Sequence, residues 1–525
     1  MKKRLFFIFC SLASWATLSA QLQQAEQDLQ RAIAILDATM ERSFRGTNTN
    51  YYMVDVCDVT NTDVSGPSDV WPYTAAIEAH CSVLEALKAL KDDLPLLYAS
   101  SYDRCEQRLK VLIDNLDYYR GSYTLTSYAT RKTWTTVYAV PRASARGRGD
   151  VTGDNLKKNV YDDQMWLARE LIRAYRLTGE RQFLSTAMSL TDYVLDGWDC
   201  WRDDQGEEYG GITWGPGYNS KHACSNGPII QPLVWLHDIL SVPDEQPSFT
   251  YYYRNAENQV VSEVVKPSEH YIDFAKRIYA WQKRTLRNAS THLYWDMMGA
   301  DGTLSYVGSG AQRRRAHVAT GGPTGTAYTY NTGTMLAGAV ELWRTTGSDE
   351  YLSDVTDLAH YAYTGFSRPV RKDGVTYREW PTDASPLQGF NAWFDNVLMR
   401  AYADADAAKV ETSYPALALQ SFETNLDYAY DHYLRSGMLP INLLNGWNDG
   451  NKTKGFHQAS FASEYALLAI WRYRQAQSSS ISLHRQDLPS CDHIYTLSGQ
   501  PACGTPDSLP GGIYIIQGRK VALKK

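Results

Sequence analysis

Apolar residues recur at helical spacing through most of the chain. In residues 159–178, for example, Met165, Ala168, Leu171 and Ile172 fall on one face of a helical wheel. The pattern predicts helices over residues 21–44, 69–91, 101–119, 159–178, 180–197, 221–240, 268–287, 325–346, 349–366, 386–405, 412–434 and 456–476. The segments between them are rich in Gly, Pro, Asn and aromatic residues, which predicts loops rather than strands.

Two of the helix junctions resemble each other closely. They read "YRLTGERQFL" at residues 175–184 and "WRTTGSDEYL" at residues 343–352. In both, a glycine ends one helix, and the next helix begins after a turn that is short enough only for antiparallel packing. The repetition predicts stacked helical hairpins.

Hairpins of this kind form either an open solenoid or a closed ring of six. A solenoid shows a fixed repeat of roughly 20 to 50 residues. Here long irregular segments, at residues 122–155, 198–220 and 289–324, separate the hairpins, and long structured loops are usually functional. We therefore predict an all-α fold, an (α/α)6 barrel of about twelve helices.

The two ends of the chain differ from this pattern. Residues 1–20 have a basic start, an apolar run and small residues before a polar stretch, which predicts a secretory signal peptide; a lipoprotein signal at Cys10 is the less favoured alternative. Residues 21–477 would form the helical domain. Residues 478–525 read as a linker and a short β-rich tail, similar to C-terminal tails of exported proteins from gram-negative bacteria. We expect the protein to be located in the periplasm, at the cell surface or in the medium.

Composition and charge narrow the range of partners. The chain has 525 residues, a net charge of -6 and a pI near 6.0, so nothing in its bulk charge attracts a nucleic acid. The one tight basic run, Arg313 to Arg315, predicts a solvated loop. No segment after the signal is long and apolar enough to span a membrane. We expect a monomer.

Seven cysteines would remain after removal of the signal, and their odd number implies at least one free thiol. Cys491 and Cys503 are the best candidates for a disulfide because they bracket a short tail. The other pairings stay open.

Two adjacent carboxylates, Asp162 and Asp163, stand at the predicted start of one helix. Acidic side chains in a first turn are stabilised by the helix dipole, so capping alone explains them. Their flanking residues, Tyr161 and Trp166, are unusual for simple capping and common where a sugar ring stacks. Catalysis is therefore the competing interpretation.

Aromatic and amide-rich segments precede five of the predicted helices, where a barrel would bring them to one mouth. The candidate substrate-binding residues that they supply are Trp71, Trp214, Asn226, Tyr328, Tyr330, Asn331 and Trp447. The aromatic residues would be stacking platforms or, alternatively, core residues. The asparagines would contact sugar hydroxyls or cap helices.

Other polar motifs give weaker signals. His80, His222 and His457 are isolated and are interpreted as structural. No HExxH, CxxC or EF-hand pattern occurs, and the acidic stretch at residues 203–211 lacks the alternating ligands of a calcium loop. We expect neither a metal nor a cofactor.

Three motifs together resemble a known family. "YDDQMW", then "GGITW" followed by "NSKHACSNG", then "YTYNTGTMLAGAVELWRTTGSDEYL" are similar in order and spacing to the core of glycoside hydrolase family 76, the α-1,6-mannanases. The resemblance covers roughly residues 70–473. It departs at Thr213-Trp214, where the family often has two aromatic residues, and at Asp395, where it often has a basic one.

The resemblance implies an endo-acting hydrolase of α-1,6-linked mannan that retains anomeric configuration, with Asp162 as nucleophile and Asp163 as general acid/base. With the predicted signal peptide, this hydrolase would be exported. A retaining glycosidase needs two such carboxyl groups, but the residues alone do not say which has which role. The alternatives are a transglycosylase, another glycanase on the same barrel, or a non-catalytic glycan-binding protein.

Overall fold

The computed structural model describes residues 2–59, 65–152, 159–242, 248–382, 390–447 and 452–487, and parts of the tail at 494–496, 502, 509–516 and 519–523. The helices in these ranges are α1 (Lys2–Ser43), α2 (Val70–Ala89), α3 (Pro95–Asn115), α4 (Tyr161–Thr178), α5 (Arg181–Leu195), α6 (Gly227–Ser241), α7 (Pro267–Leu286), α8 (Thr329–Thr346), α9 (Asp349–Phe366), α10 (Ala392–Ala407), α11 (Tyr414–Tyr433) and α12 (Gly455–Asp487). Every predicted helix has a counterpart.

Residues 28–469 form one compact unit in which the even-numbered helices make an inner ring. Helices α2, α4, α6, α8 and α10 pack side by side in that order. Helix α12 closes the ring, since Ser82 of α2 and Ser463 of α12 share a hydrogen bond of 2.8 Å, and Asp395 of α10 and Glu464 of α12 line one small cavity. This arrangement confirms the predicted (α/α)6 barrel.

The odd-numbered helices lie outside the ring. Helices α3, α5, α7, α9 and α11 each pack on the inner helix that precedes them in the chain. Arg31 of α1 donates to Asp427 of α11 and lies over the ring of Tyr465 in α12. The outer helices are amphipathic, with one buried and one exposed face, whereas the inner helices are buried almost all round.

The prediction that loops rather than strands connect the helices is wrong. The described strands are β1 (Phe44–Thr47), β2 (Asn50–Met53), β3 (Val56–Asp58), β4 (Arg120–Thr126), β5 (Arg131–Tyr138), β6 (Lys221–His222), β7 (Phe249–Arg254), β8 (Val260–Val265), β9 (Met297–Ala300), β10 (Tyr306–Val307), β11 (Arg314–Arg315), β12 (Thr320–Thr324), β13 (Arg368–Lys372), β14 (Val375–Glu379), β15 (Lys452–Lys454), β16 (Ile494–Thr496), β17 (Gly512–Ile516) and β18 (Arg519–Leu523). Most pair as antiparallel two-stranded ribbons, and one sheet has the order β12–β9–β6. Two-stranded ribbons of this length are only marginally stable alone, so they depend on packing against the barrel.

One ribbon, β7–β8, leaves the barrel at the end of α6 yet reaches the loops that precede other inner helices. Arg254 in β7 donates to the carbonyl of Tyr128 at 3.0 Å, and its guanidinium lies 3.5 Å from the ring centroid of Trp201. The ribbon therefore braces two loops at the mouth.

Residues 1–27 and 470–525 form the second compact unit. It holds the first part of α1, the last part of α12 and an antiparallel sheet in the order β16–β17–β18. None of the helices in the described ranges is long and apolar enough to cross a membrane.

Five cysteines within the described ranges, Cys57, Cys81, Cys105, Cys200 and Cys224, are buried free thiols. Burial raises the pKa of each of them. The predicted pairing of Cys491 with Cys503 lies outside the described residues.

Close contact between α8 and α10 requires a glycine at position 333. A Cβ atom there would lie 2.8 Å from the Cα of Leu398 and 3.0 Å from its backbone nitrogen. We predict that Gly333→Ala destabilises the protein by about 1–3 kcal/mol, the usual cost of overpacking, as measured by denaturant unfolding. Gly299→Ala is the control, because a Cβ at position 299 meets nothing within 4 Å; equal stability of the two variants would contradict this account of the interface.

Candidate active site

The inner helices all begin at the same end of the ring, and their first turns surround one cleft. Trp71 of α2, Asp162 of α4, Tyr330 of α8 and Phe394 of α10 line it together, and Phe456 of α12 packs on Trp71 with ring centroids 5.3 Å apart. Antiparallel hairpins produce this convergence, since each return helix brings the chain back to the same end.

The cleft has two lobes. The first lobe, of about 350 Å³, is lined by Asp69, Trp71, Val140, Val160, Asp162, Asp163, Trp166, Trp214, Tyr218, Cys224, Tyr330, Trp393 and Phe394. The second lobe, of about 450 Å³, is lined by Asp162, Trp214, His222, Cys224, Asp296, Tyr328, Tyr330, Thr382, Phe390, Asn391 and Phe394. Asp162 borders both lobes and thus lies at the waist, whereas Asp163 borders the first lobe only.

Asp162 and Asp163 occupy the first turn of α4, which begins at Tyr161 without a side-chain cap at Val160. The backbone N–H of Tyr161 donates to the carbonyl of Trp214 at 2.8 Å, which fixes the helix start against the Trp214 loop. The backbone N–H groups of both aspartates oppose a rise in the pKa of Asp162. Capping and exposure to the cleft therefore occur at the same residue.

The two carboxyl groups have unequal surroundings. Burial raises the pKa of Asp162, but hydrogen bonds from the Cys224 thiol, from Trp214 and from the helix N–H groups oppose that rise; the Trp214 Nε1 lies 3.4 Å from Asp162 Oδ2. Burial, then the charges of Asp162 and Asp69, raise the pKa of Asp163 well above its ordinary value. At neutral pH the arrangement favours an ionised Asp162 beside a protonated Asp163.

The loop that carries Trp214 depends on a pair of glycines. Gly210 and Gly211 have φ of +68° and +76°, and a Cβ on Gly211 would lie 2.4 Å from the Trp281 ring. Further along, the Trp214 ring stacks on His222 with centroids 4.8 Å apart. Burial lowers the pKa of His222 to about 4, so the stacking partner is neutral.

Two buried cationic side chains donate hydrogen bonds to the same loop. Arg315 is 2% exposed and donates to Thr213 Oγ1 at 3.1 Å and to the carbonyl of Tyr218. Lys221 Nζ donates to Asp199 at 2.9 Å and to the carbonyl of Gly210 at 2.5 Å. The prediction that the basic run forms a solvated loop is therefore wrong for Arg315, because four loop oxygens lie within reach of its guanidinium and make burial favourable.

Aromatic side chains wall the first lobe. The Trp393 ring meets Trp71 and Trp166 edge-on, with centroids 5.3 and 4.6 Å apart, and its Nε1 donates to Glu78 at 3.1 Å. Trp71 Nε1 is buried and has no hydrogen-bond partner within the part of the chain that the structure describes. Trp71 thus contributes its ring to the lining of the first lobe.

Tyrosines and a third carboxylate border the second lobe. The rings of Tyr328 and Tyr330 are nearly parallel, at 16° and 5.9 Å, and the Tyr330 hydroxyl donates to Asp296 at 3.3 Å. Burial raises the pKa of Asp296, while Asn331 and Tyr330 oppose that rise. Asn331 is fully buried and lines neither lobe.

Two predicted binding residues have other surroundings. Asn226 is fully buried, and its amide bonds the backbone of Ile212 and His222. Trp447 packs on a cluster of Val54, Cys57, Val59 and Met438, and donates to the carbonyl of Tyr433 at 2.7 Å. Neither side chain lines the described cleft.

The cleft residues that sequence reasoning did not single out include two carboxylates and a thiol, those of Asp69, Asp296 and Cys224. Asp296 follows Tyr294 and Trp295, an aromatic setting like that of Asp162, which was the available signal. Cys224 had none, since a single cysteine beside a predicted helix is usually a core residue. Among the described residues no group of three His, Cys, Asp or Glu side chains is arranged to hold a metal ion.

Comparison with known proteins agrees with this geometry. Residues 116–239 and 264–426 match the profile of glycosyl hydrolase family 76. No curated protein sequence matches the chain.

Solved structures share the fold at low identity. A family 76 glycoside hydrolase (mannosidase) from Bacteroides thetaiotaomicron has a TM-score of 0.59 and 18% identity, over 86% of this chain and 100% of that one. An inactive variant of a Salegentibacter α-1,6-mannanase, with two aspartates of consecutive number changed to asparagine and in complex with α-1,6-mannotriose, has a TM-score of 0.52 and 17% identity over 84% and 99%. A D-mannose isomerase has a TM-score of 0.52 and 10% identity over 84% and 97%, so the fold alone does not fix the reaction.

The sequence profile is more specific than the fold. It spans more than half of the 525 residues and includes α4 and its two aspartates. The chain belongs to glycoside hydrolase family 76.

Proposed function

We propose that the protein hydrolyses α-1,6-mannosidic bonds inside mannan chains with retention of anomeric configuration. The observation that carries the proposal is the pair of neighbouring carboxyl groups at the waist of the cleft, one favoured as carboxylate and the other as acid. Retaining glycosidases need this division of roles. The inactive Salegentibacter variant, changed at two consecutive aspartates, supports the same assignment by analogy.

In the proposed mechanism Asp162 attacks the anomeric carbon while Asp163 donates its proton to the leaving glycosidic oxygen. A glycosyl-enzyme ester forms, the exocyclic C–O bond breaks, and the shortened chain departs. Asp163, now a carboxylate, takes a proton from water as that water attacks the ester, which releases the sugar and restores both groups. Hydrolysis needs no further reactant.

The shape of the cleft supports internal cleavage. Asp162 borders a lobe on each side, so sugar units on both sides of the scissile bond have space. Trp71 and Trp214 offer aromatic surface for the apolar faces of sugar rings. The exported location inferred from residues 1–20 stays a prediction.

We predict that Asp162→Asn and Asp163→Asn each abolish most of the release of reducing ends from unbranched α-1,6-mannan. Loss of the acid should cost about 10²- to 10⁴-fold in kcat, and loss of the nucleophile at least as much. The control is Asp349→Asn, since Asp349 is an exposed acid in the first turn of α9. Unchanged activity in either cleft variant would refute the catalytic assignment.

Three measurements on the same substrate separate the alternatives. Retardation on a mannan gel without any new reducing ends would indicate a glycan-binding protein. Products longer than the starting oligosaccharide would indicate a transglycosylase. NMR of the first-formed anomer tests retention.

The pH dependence of kcat/KM should be bell-shaped. The pKa of Asp162 is raised, so activity should appear as pH rises through a value above the ordinary carboxyl value of about 4. Activity should fall again when Asp163, whose pKa is raised further by burial and by Asp162, loses its proton. An acid limb at or below pH 4 would contradict this order, and Asp349→Asn should leave both limbs in place.

Arg315 should support activity through the loop that it holds. We expect Arg315→Met to lower kcat/KM on the order of 10²-fold, the effect of a displacement near 1 Å, because Thr213 and Tyr218 lose their donor beside Trp214. Arg313→Met is the control from the same run; its guanidinium lies over Tyr306 instead. Equal kinetics in both variants would show that the loop keeps its position without Arg315.

A further inference from the structure

Trp214 lies at the boundary between the two lobes of the cleft. It borders both lobes, as Asp162 does, and its Nε1–H donates to Asp162 Oδ2 at 3.4 Å. That distance is long for an N–H···O hydrogen bond. Even a small displacement of the indole would therefore break the contact, so the contact depends on whatever holds the ring.

The backbone of Trp214 is held on both sides. Its N–H donates to the carbonyl of Ser220 at 2.9 Å, and its carbonyl accepts from the N–H of Tyr161 at 2.8 Å. These bonds fix the point at which the side chain leaves the backbone. The orientation of the indole itself is then set by the side chains that it contacts.

Two rings contact the indole. The Tyr218 ring is tilted against it at 47°, with centroids 4.6 Å apart. The His222 imidazole is more nearly parallel to it, at 26° and 4.8 Å. Ring centroids at this separation are within the range of favourable aromatic pairs. His222 therefore covers part of an indole face and limits rotation of the ring.

His222 is itself restrained at both its ring and its backbone. Its Nε2 shares a hydrogen bond of 2.9 Å with Ser220 Oγ. Its backbone pairs with Met297 of β9, and its carbonyl accepts from Asn226 Nδ2 at 2.8 Å. Burial lowers the pKa of His222 to about 4, so the imidazole stays neutral over the pH range in which the acid limb of activity is expected.

We propose that His222 is a positioning residue for the reaction: its imidazole, oriented by Ser220, stacks on Trp214 and keeps the indole N–H within hydrogen-bond distance of the Asp162 carboxylate. The sequence-based interpretation of His222 as purely structural is thereby replaced. The inference rests on the proposed role of Asp162 as nucleophile, and it does not depend on the length or branching of the substrate.

The test compares His222→Ala with His222→Phe on α-1,6-linked mannan. Alanine removes the stacked ring, so the Trp214 donor should be lost from the carboxylate. We expect kcat to fall on the order of 10-fold with KM nearly unchanged, and the acid limb of kcat/KM to move to higher pH by about half a unit, as for one hydrogen bond to the charged form. Phenylalanine keeps a stacked ring and should restore most of kcat and the position of the limb.

The pH readout isolates the contact to Asp162. Its titratable neighbours Asp163, Tyr218, Cys224 and Tyr330 are unchanged in these variants. A merely structural role of His222 would lower the amount of folded enzyme without moving the limb. A direct contact of the imidazole with the sugar would raise KM, leave the limb in place and give no rescue by phenylalanine; that result would overturn the inference.

His360→Ala is the matched control. His360 of α9 stacks on Tyr414 of α11 at 27° and 4.7 Å, nearly the same geometry, and it lines neither lobe, so this variant should keep both kcat and the limb. If His222→Ala folds poorly, His222→Leu fills more of the volume without a planar ring and should give the same shift. An unchanged acid limb in the folded alanine or leucine variant would overturn the inference. Full activity of Asp162→Asn would instead overturn the proposed function, so the two failures are distinguishable.

Discussion

Two carboxyl groups, one half-buried and one buried, stand side by side at the start of α4, and the loops at the mouth of the barrel surround them. Two adjacent buried negative charges are unfavourable, so one of the pair is favoured as the neutral acid. The helix N-terminus and the donors from Trp214 and Cys224 stabilise the other as a carboxylate. The difference between the two aspartates thus comes from the first N–H groups of α4 together with the loops on one side of the cleft.

Those loops are long and irregular, and buried charges keep them in place. Arg315 and the Lys221–Asp199 pair hold the Trp214 loop. Between two of the helices, Glu78 of α2 accepts hydrogen bonds from Trp393, Asn396 and Arg400 of α10. Breaking such a pair leaves a buried charge unpaired, which is costly. The rings that face the cleft are therefore held by polar contacts behind them.

Sequence periodicity predicted the barrel because its helices need burial on regular faces. It also predicted that Asp162, Asp163, Trp71, Trp214 and Tyr330 would meet, since all stand close to the starts of inner helices or in the loops that lead into them. The ribbons were not predicted because segments such as "RGSYTLT" are short and their alternation of apolar and polar residues is interrupted. Asn226 and Trp447 show the limit at single residues: whether a side chain at a helix start faces the cleft or the backbone behind it depends on contacts distant in sequence.

The burial of five thiols bears on how the protein becomes irreversibly inactivated after it unfolds. A thiol with a raised pKa that is shielded from solvent reacts slowly with oxidants, so the folded barrel protects cysteines that lie in α2, α3 and the mouth loops. Unfolding would expose all of them together, and in an oxidising medium mismatched disulfides would then trap the chain. Its lifetime in such a medium is therefore set by the rate of unfolding more than by the equilibrium between folded and unfolded forms.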